Sequence, residues 1–346
     1  MVKKIFLVII IGLFFSALLA AVGMYTLHWY SEQPVNIMQE QDFTLEKGES
    51  LGSVARHLEK LQVISDARYF IVFVKIAGFS RDLHAGDYRI TTDMSYGELL
   101  AMFVQGQVRY YSVTLVEGTT FYEALDLLNQ QAKLSHPLQE EELTRFLQGL
   151  PVSGHPEGLF YPDTYYFHAG ATVSSVLQRA YDRLQRVLNE EWAKKVEDLP
   201  LTSSYEALIL ASLIEKETGA AFERPDISGV FIRRLKQRMK LQSDPTVIYG
   251  MGALYDGQLN RRMLREKTPY NTYVIRGLPP TPIALVGREA IHAALHPAEG
   301  KSLYFVAKGD GTHYFSNSLV EHNRAVRKYQ VMQRRSDYRS TVEPDK

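Results

Sequence analysis

Two carboxylates flank a lysine in Leu213-Ile214-Glu215-Lys216-Glu217-Thr218-Gly219, which closes the apolar run Tyr205–Ser212. On a helix, residues three, four and seven apart share a face. Counting back from Glu217 reaches Ile214, Leu213 and Leu210, all aliphatic. Counting back from Glu215 reaches Ser212, Ala211 and Leu208, a smaller and more polar neighbourhood. The spacing therefore sets Glu217 at the edge of aliphatic packing and turns Glu215 elsewhere. Desolvation raises a carboxyl pKa, and a raised pKa is what a general acid near neutral pH needs. A solvated helix end has the same pattern.

Two later stretches carry side chains suited to carbohydrate. Ser243-Asp244-Pro245-Thr246-Val247-Ile248-Tyr249 has no regular period and reads as a loop ahead of Gly250 and Gly252. Tyr270-Asn271-Thr272-Tyr273 leads into clustered prolines. Tyr, Asn and Thr on stiff loops offer hydrogen bonds to sugar hydroxyls and aromatic faces to sugar C–H groups. Pro- and Gly-built structural turns account for the same composition. His292 and His296 have i,i+4 spacing but no HExxH pattern, so they read as structural, as do His313 and His322. Asp163 is placed to orient a partner or cap a turn. The chain contains no GxGxxG, P-loop or GxSxG pattern, which disfavours dinucleotide, NTP and serine-hydrolase chemistry.

The elements that must position these residues are α+β. Phe43 and Leu45 alternate as a short strand, Ser50 is a helix N-cap, and a second helix runs from about Asp66 to Ile76. A strand in 84–94 and a helix capped by Ser95 complete a module over 41–110. Its spacing resembles a LysM-like fold, a class that often holds N-acetylglucosamine-containing glycans; a structural spacer fits the same elements. A β-branched and aromatic strand follows at 108–118, then helices in 119–130 and 140–150 and a Pro/Gly-rich loop over 151–170. Next come a long amphipathic helix from 172, the helix carrying Glu217, a helix in 226–239 and a short helix in 288–295. Two strands near 302–308 and 312–318 precede a last helix and a charged tail over 336–346.

The chain has 346 residues, enough for about two domains. Lys+Arg and Asp+Glu balance at 39 each, so there is no global pull towards nucleic acid. Absence of cysteine excludes disulfides, thiolate catalysis and Cys-based zinc sites. Lys3 and Lys4 precede an uncharged apolar run, Ile5–Leu27, that would span roughly 34 Å as a helix. With Tyr25, Trp29 and Tyr30 behind it, 1–30 reads as a cytoplasmic N-terminus and transmembrane anchor. Ala17, Ala20 and Ala21 also suit a cleavable signal peptide, but the run exceeds the usual signal core. In either case the rest folds outside the cytoplasm. Residues 31–40 read as a polar tether.

The stretches at 211–218, 223–235, 241–252, 270–283, 296–307 and 313–323, with 115–120 and 157–165, stand in an order and spacing that resembles the membrane-anchored endolytic murein transglycosylases, the MltG or YceG-like family. The resemblance implies a catalytic domain over 111–335 and a catalytic Glu217. It implies cleavage of MurNAc–GlcNAc bonds in nascent peptidoglycan to 1,6-anhydro ends, with no metal or cofactor. Gln242, Asp244, Tyr249 and Asn271 are expected to line the glycan cleft. The implied location is the inner membrane, catalytic side outward, and the implied partners are cell-wall synthases. Two alternatives stand beside it: a two-carboxylate hydrolase using Asp244 or Glu223, and a non-catalytic glycan-binding scaffold.

Overall fold

A computed structural model describes residues 2–135, 137–151 and 154–333. The charged tail expected over 336–346 lies outside these residues. Val2–Ser31 is one helix, α1. Its stretch Ile9–Ser31 is long and apolar enough to cross a membrane, and side chains such as Phe14 and Leu19 stand exposed. The chain divides into two compact units, one of Met1–Tyr111 with Tyr166–Ala171, the other of Ser112–Tyr165 with Thr172–Lys346.

The first unit continues with β1 (Gln41–Leu45), α2 (Leu51–Lys60), α3 (Ala67–Ile76), β2 (Gly86–Ile90) and α4 (Tyr96–Val104). β1 and β2 pair antiparallel, with Phe43 opposite Tyr88. Ser50 caps α2 by accepting from the Ser53 N–H, and Ser95 forms a capping box with Glu98 at α4. The core gathers Phe43, Leu58, Phe70, Tyr88 and Phe103. Each such side chain contributes about 1.5–3 kcal/mol on burial. Residues 31–40, expected as a tether, are instead stitched into this unit. Val35 N donates to Met94 O and Tyr96 N to Gln33 O, both at 2.9 Å, while Val35 and Ile37 are buried. A period-two apolar pair hidden in a polar decapeptide is the physical reason.

The second unit contains α5 (Phe121–Asn129), α6 (Glu140–Gln148), α7 (Val173–Trp192), α8 (Ser204–Glu217) and α9 (Arg224–Lys236). It continues with α10 (Asp244–Met251), α11 (Arg288–Leu295), β5 (Tyr304–Ala307), β6 (His313–Ser316) and α12 (Leu319–Val326). β5 and β6 pair antiparallel. β3 (Tyr110–Thr114) and β4 (Thr164–His168) form a further two-stranded sheet, so the stretch read as loop over 151–170 ends in a strand.

Every residue from Ala207 to Ile214 in α8 is buried, with α7, α9, α10 and α11 packed around it. A helix apolar on all sides is a core helix. The residues read as loop at 243–249 also fold differently, as α10. Eight residues are too few for a 3.6-residue period to show, and Pro245 is tolerated in a first turn. Gly252, at φ 51°, ends it, and a Cβ on Gly250 would stand 2.6 Å from Thr268 Oγ1. Tertiary contact makes this helix.

Candidate active site

Glu217 is the last residue of α8, half-buried, and its carboxyl meets the start of α10. Ser243 Oγ donates to Glu217 Oε1 at 2.5 Å. Burial pushes the carboxyl up to about 7 and the Asp244 charge adds to the rise, while the Ser243 hydrogen bond and the Arg234 guanidinium oppose it. Near neutrality such a group is present in both protonation states, so it can give a proton and take one back.

The turn that presents Ser243 is held from beneath. Arg234, on α9 and buried, donates through Nη1 to Leu241 O at 2.7 Å and Lys240 O at 3.2 Å, and through Nε to Leu303 O at 2.6 Å. Between these anchors Gln242 adopts φ 54°, a conformation that costs a non-glycine residue about 1–2 kcal/mol. Its N–H donates to Thr272 O at 3.2 Å. Ser243 N donates to Thr272 Oγ1 at 2.9 Å, and Thr246 Oγ1 lies 2.9 Å from the same hydroxyl. Asp244 is exposed and accepts from Tyr273 OH at 2.6 Å. The two sugar-suited stretches are thus locked together beside Glu217.

Other carboxylates have other partners. Glu215 is buried against Arg224 at 2.9 Å and accepts from Gly287 N at 3.2 Å; burial raises its pKa while Arg224 opposes the rise. Arg224 also binds Glu289. Glu223 and His313 are a buried pair at 2.8 Å, and His313 N donates to the same carboxylate at 2.9 Å. Glu157 is fully buried, accepting from Phe121 N at 2.9 Å and Tyr249 OH at 3.0 Å, and burial pushes it up to about 7. Among the described residues no group of three His, Cys, Asp or Glu side chains gathers as a metal site. His292 bonds Glu191 at 2.9 Å and His296 bonds Lys194 O at 2.9 Å. Asp163 pairs with Arg183.

Of the residues expected to line a cleft, Gln242 and Asp244 adjoin Ser243 and are exposed. Tyr249 is half-buried and directed to Glu157, its ring 4.8 Å from that of Tyr270. Asn271 is fully buried and organises its own loop, donating to Glu266 O at 2.7 Å and Met263 O at 3.2 Å and accepting from Tyr273 N at 2.9 Å. Sequence reading passed over Ser243, Arg234 and Glu157. Ser243 lies in a stretch that reads as loop, and Glu157 lies in another loop with no period to mark it. Helical spacing separates Glu217 from Glu215 by their aliphatic neighbours, but α8 is packed on every side from Ala207 to Ile214, so this is not the contact that distinguishes them. The partner separates them: Arg224 holds Glu215, and a neutral hydroxyl holds Glu217.

Glu217, raised to about 7 beside the exposed Asp244 carboxylate and hydroxyl-rich loops, is a group able to give and take a proton. The chain belongs to the YceG-like family, whose sequence model matches residues 43–328. It is 31% identical over 311 residues to the endolytic murein transglycosylase of Bacillus subtilis (strain 168), covering 83% of this chain and 84% of that protein. The endolytic murein transglycosylase of Streptococcus pneumoniae serotype 2 (strain D39) is 26% identical over 91% of this chain, which spans 63% of that longer relative. A crystal structure of a YceG-like protein from Listeria monocytogenes superposes with a TM-score of 0.53 at 27% identity, over 83% of this chain and 99% of that one.

Proposed function

We propose that this chain is a membrane-anchored endolytic peptidoglycan transglycosylase in which Glu217 alone carries the proton chemistry. Family membership makes it a lytic transglycosylase. The observation that carries the finer reading is the Glu217 carboxyl, raised to about 7, bonded to the Ser243 hydroxyl and without an ion-pair partner among the described residues.

Protonated Glu217 donates to the glycosidic oxygen between N-acetylmuramic acid and N-acetylglucosamine, and the C1–O bond breaks as positive charge gathers at C1 of the muramyl ring. The exposed Asp244 carboxylate, steadied by Tyr273, stabilises that charge. Glu217, now ionised, takes the proton of the muramyl 6-hydroxyl as its oxygen bonds C1. The products are a free 4-hydroxyl and a 1,6-anhydro end; water is not consumed and the acid is restored. Gln242 and Tyr249 line the glycan path, and Asn271 holds the loop that carries Tyr273.

The β1-α2-α3-β2 order supports a LysM-like reading of 41–110 as a glycan-binding module. Lys3 and Lys4, ahead of the apolar stretch of α1, support an inner-membrane anchor with the rest outside the cytoplasm, near the synthases that supply nascent strands. Asp244 beside Glu217 also suits a two-carboxylate hydrolase, and product chemistry separates the two. Mass analysis of glycan digested by the purified full chain should give ends lighter by one water than a hydrolase leaves, and Glu217→Gln should give none. Reducing ends, or cleavage by the variant, would refute the mechanism.

A further inference from the structure

A stripe of large apolar side chains on α3 has no role in the chemistry above. Tyr69, Val72 and Ile76 recur at helical spacing, Phe79 follows just past the helix end, and all four are exposed, Tyr69 and Ile76 at 65% each. Their neighbours around the helix, Phe70, Phe73 and Val74, are buried in the unit's core. The stripe is therefore a second apolar face beside the packed one. Contiguous exposed apolar surface of this kind marks a place where something other than water is met.

The attachment of α1 says what that is. Helix α1 runs unbroken to Ser31, and Leu27 and Tyr30 near its end pack on the core of the same unit. The Tyr30 ring lies 5.4 Å from Phe73 and 5.0 Å from Tyr96. The backbone bonds of Gln33, Val35 and Asn36 then fasten the following segment to α4 and the α2–α3 turn. No slack separates the apolar helix from the module, so the height of α3 is set by α1. If the hydrocarbon ends near Met24, Tyr30 stands about 9 Å beyond it, within the headgroup layer. Tyr25 and Trp29, both exposed, lie on the approach to that level. Arg68 and Lys75, exposed on α3, border the stripe on its far side. Aromatic and aliphatic side chains edged by basic ones compose an interfacial helix face.

We propose that α3 lies on the bilayer, with Tyr69, Val72, Ile76 and Phe79 immersed at the headgroup–acyl boundary, as a second membrane contact beside α1. This rests on α1 spanning the bilayer. Each large side chain immersed adds apolar burial to a protein that a single helix already retains. The consequence is therefore orientation: α1 and the module fastened to it are held at a fixed tilt to the bilayer.

The absence of native cysteine allows a direct test on the full chain. Single cysteines at Val72, Ile76, Phe14, Lys47 and Lys60 carry a nitroxide in vesicles of phosphatidylethanolamine and phosphatidylglycerol. Relaxation by oxygen, which concentrates in lipid, is compared with relaxation by a water-soluble nickel chelate. The proposal expects oxygen to dominate at 14, 72 and 76 and nickel at 47 and 60. Immersion at 14 with nickel dominant at 72 and 76 overturns the proposal and leaves the anchor standing. Shielding of 72 and 76 from both reagents means that protein covers the stripe, and the proposal fails. A water-exposed 14 removes the anchor and the proposal together.

Discussion

Glu217→Gln should make the protein more stable at alkaline pH while abolishing cleavage. Folding moves this carboxyl from 4.5 to about 7. Its stabilising contribution is therefore full below pH 4.5, where folded and unfolded chains both hold the proton. It is lost as pH rises through 7, because the unfolded chain ionises first. A shift of that size corresponds to roughly 3 kcal/mol between the protonation states. Since Glu217 keeps part of its surface in solvent, about 2 kcal/mol is the expected gap. Glutamine has nearly the same shape, accepts the Ser243 hydrogen bond and never ionises.

The assay is urea unfolding of the full chain in detergent micelles, followed by Trp192 at the end of α7 with Trp29→Phe silencing the other tryptophan. Glu157, also raised to about 7, is present in both proteins and cancels in the difference. Relative to any offset at pH 4.5, the variant midpoint should lie higher at pH 8 by about 1 M urea. A gap that does not change with pH, or one that favours the wild type at pH 8, would show that Glu217 is not held out of water and would remove the physical basis of its acidity.

Ser243→Ala removes the hydrogen bond that holds the Glu217 pKa down, so the alkaline limb of kcat should move up by about one pH unit; an unmoved limb would separate Ser243 from the acid. Arg224→Met leaves the buried Glu215 without its cation and should cost about 3–5 kcal/mol in the same unfolding assay. Adding Glu215→Met should recover most of that loss, and no recovery would mean that Arg224 acts chiefly through Glu289.

The capped helices were legible because cap and period are local: Ser50 and Ser95 sit where their helices begin. What stayed hidden was set by distant residues. α10 exists because Gly250 and Thr246 meet the 268–272 loop, and Gln242 takes its left-handed conformation because Arg234 arrives from α9. Asn271 shows the limit at single residues, since composition marks it as a sugar ligand while its buried side-chain amide is bonded to the backbone of Met263, Glu266 and Tyr273. Spacing named Glu217, yet the contrast with Glu215 lies in Arg224, nine residues further along the chain.

From Ala207 to Ile214, helix α8 has no outside. Its aliphatic residues would be retained by any descendant that kept the architecture, whether or not it still cut glycan, so resemblance through this stretch testifies to shape. Under the proposed mechanism, only position 217 testifies to chemistry. Because an uncharged residue there should settle the structure further, inactive descendants lie downhill, and the acid persists against the preference of the protein that holds it.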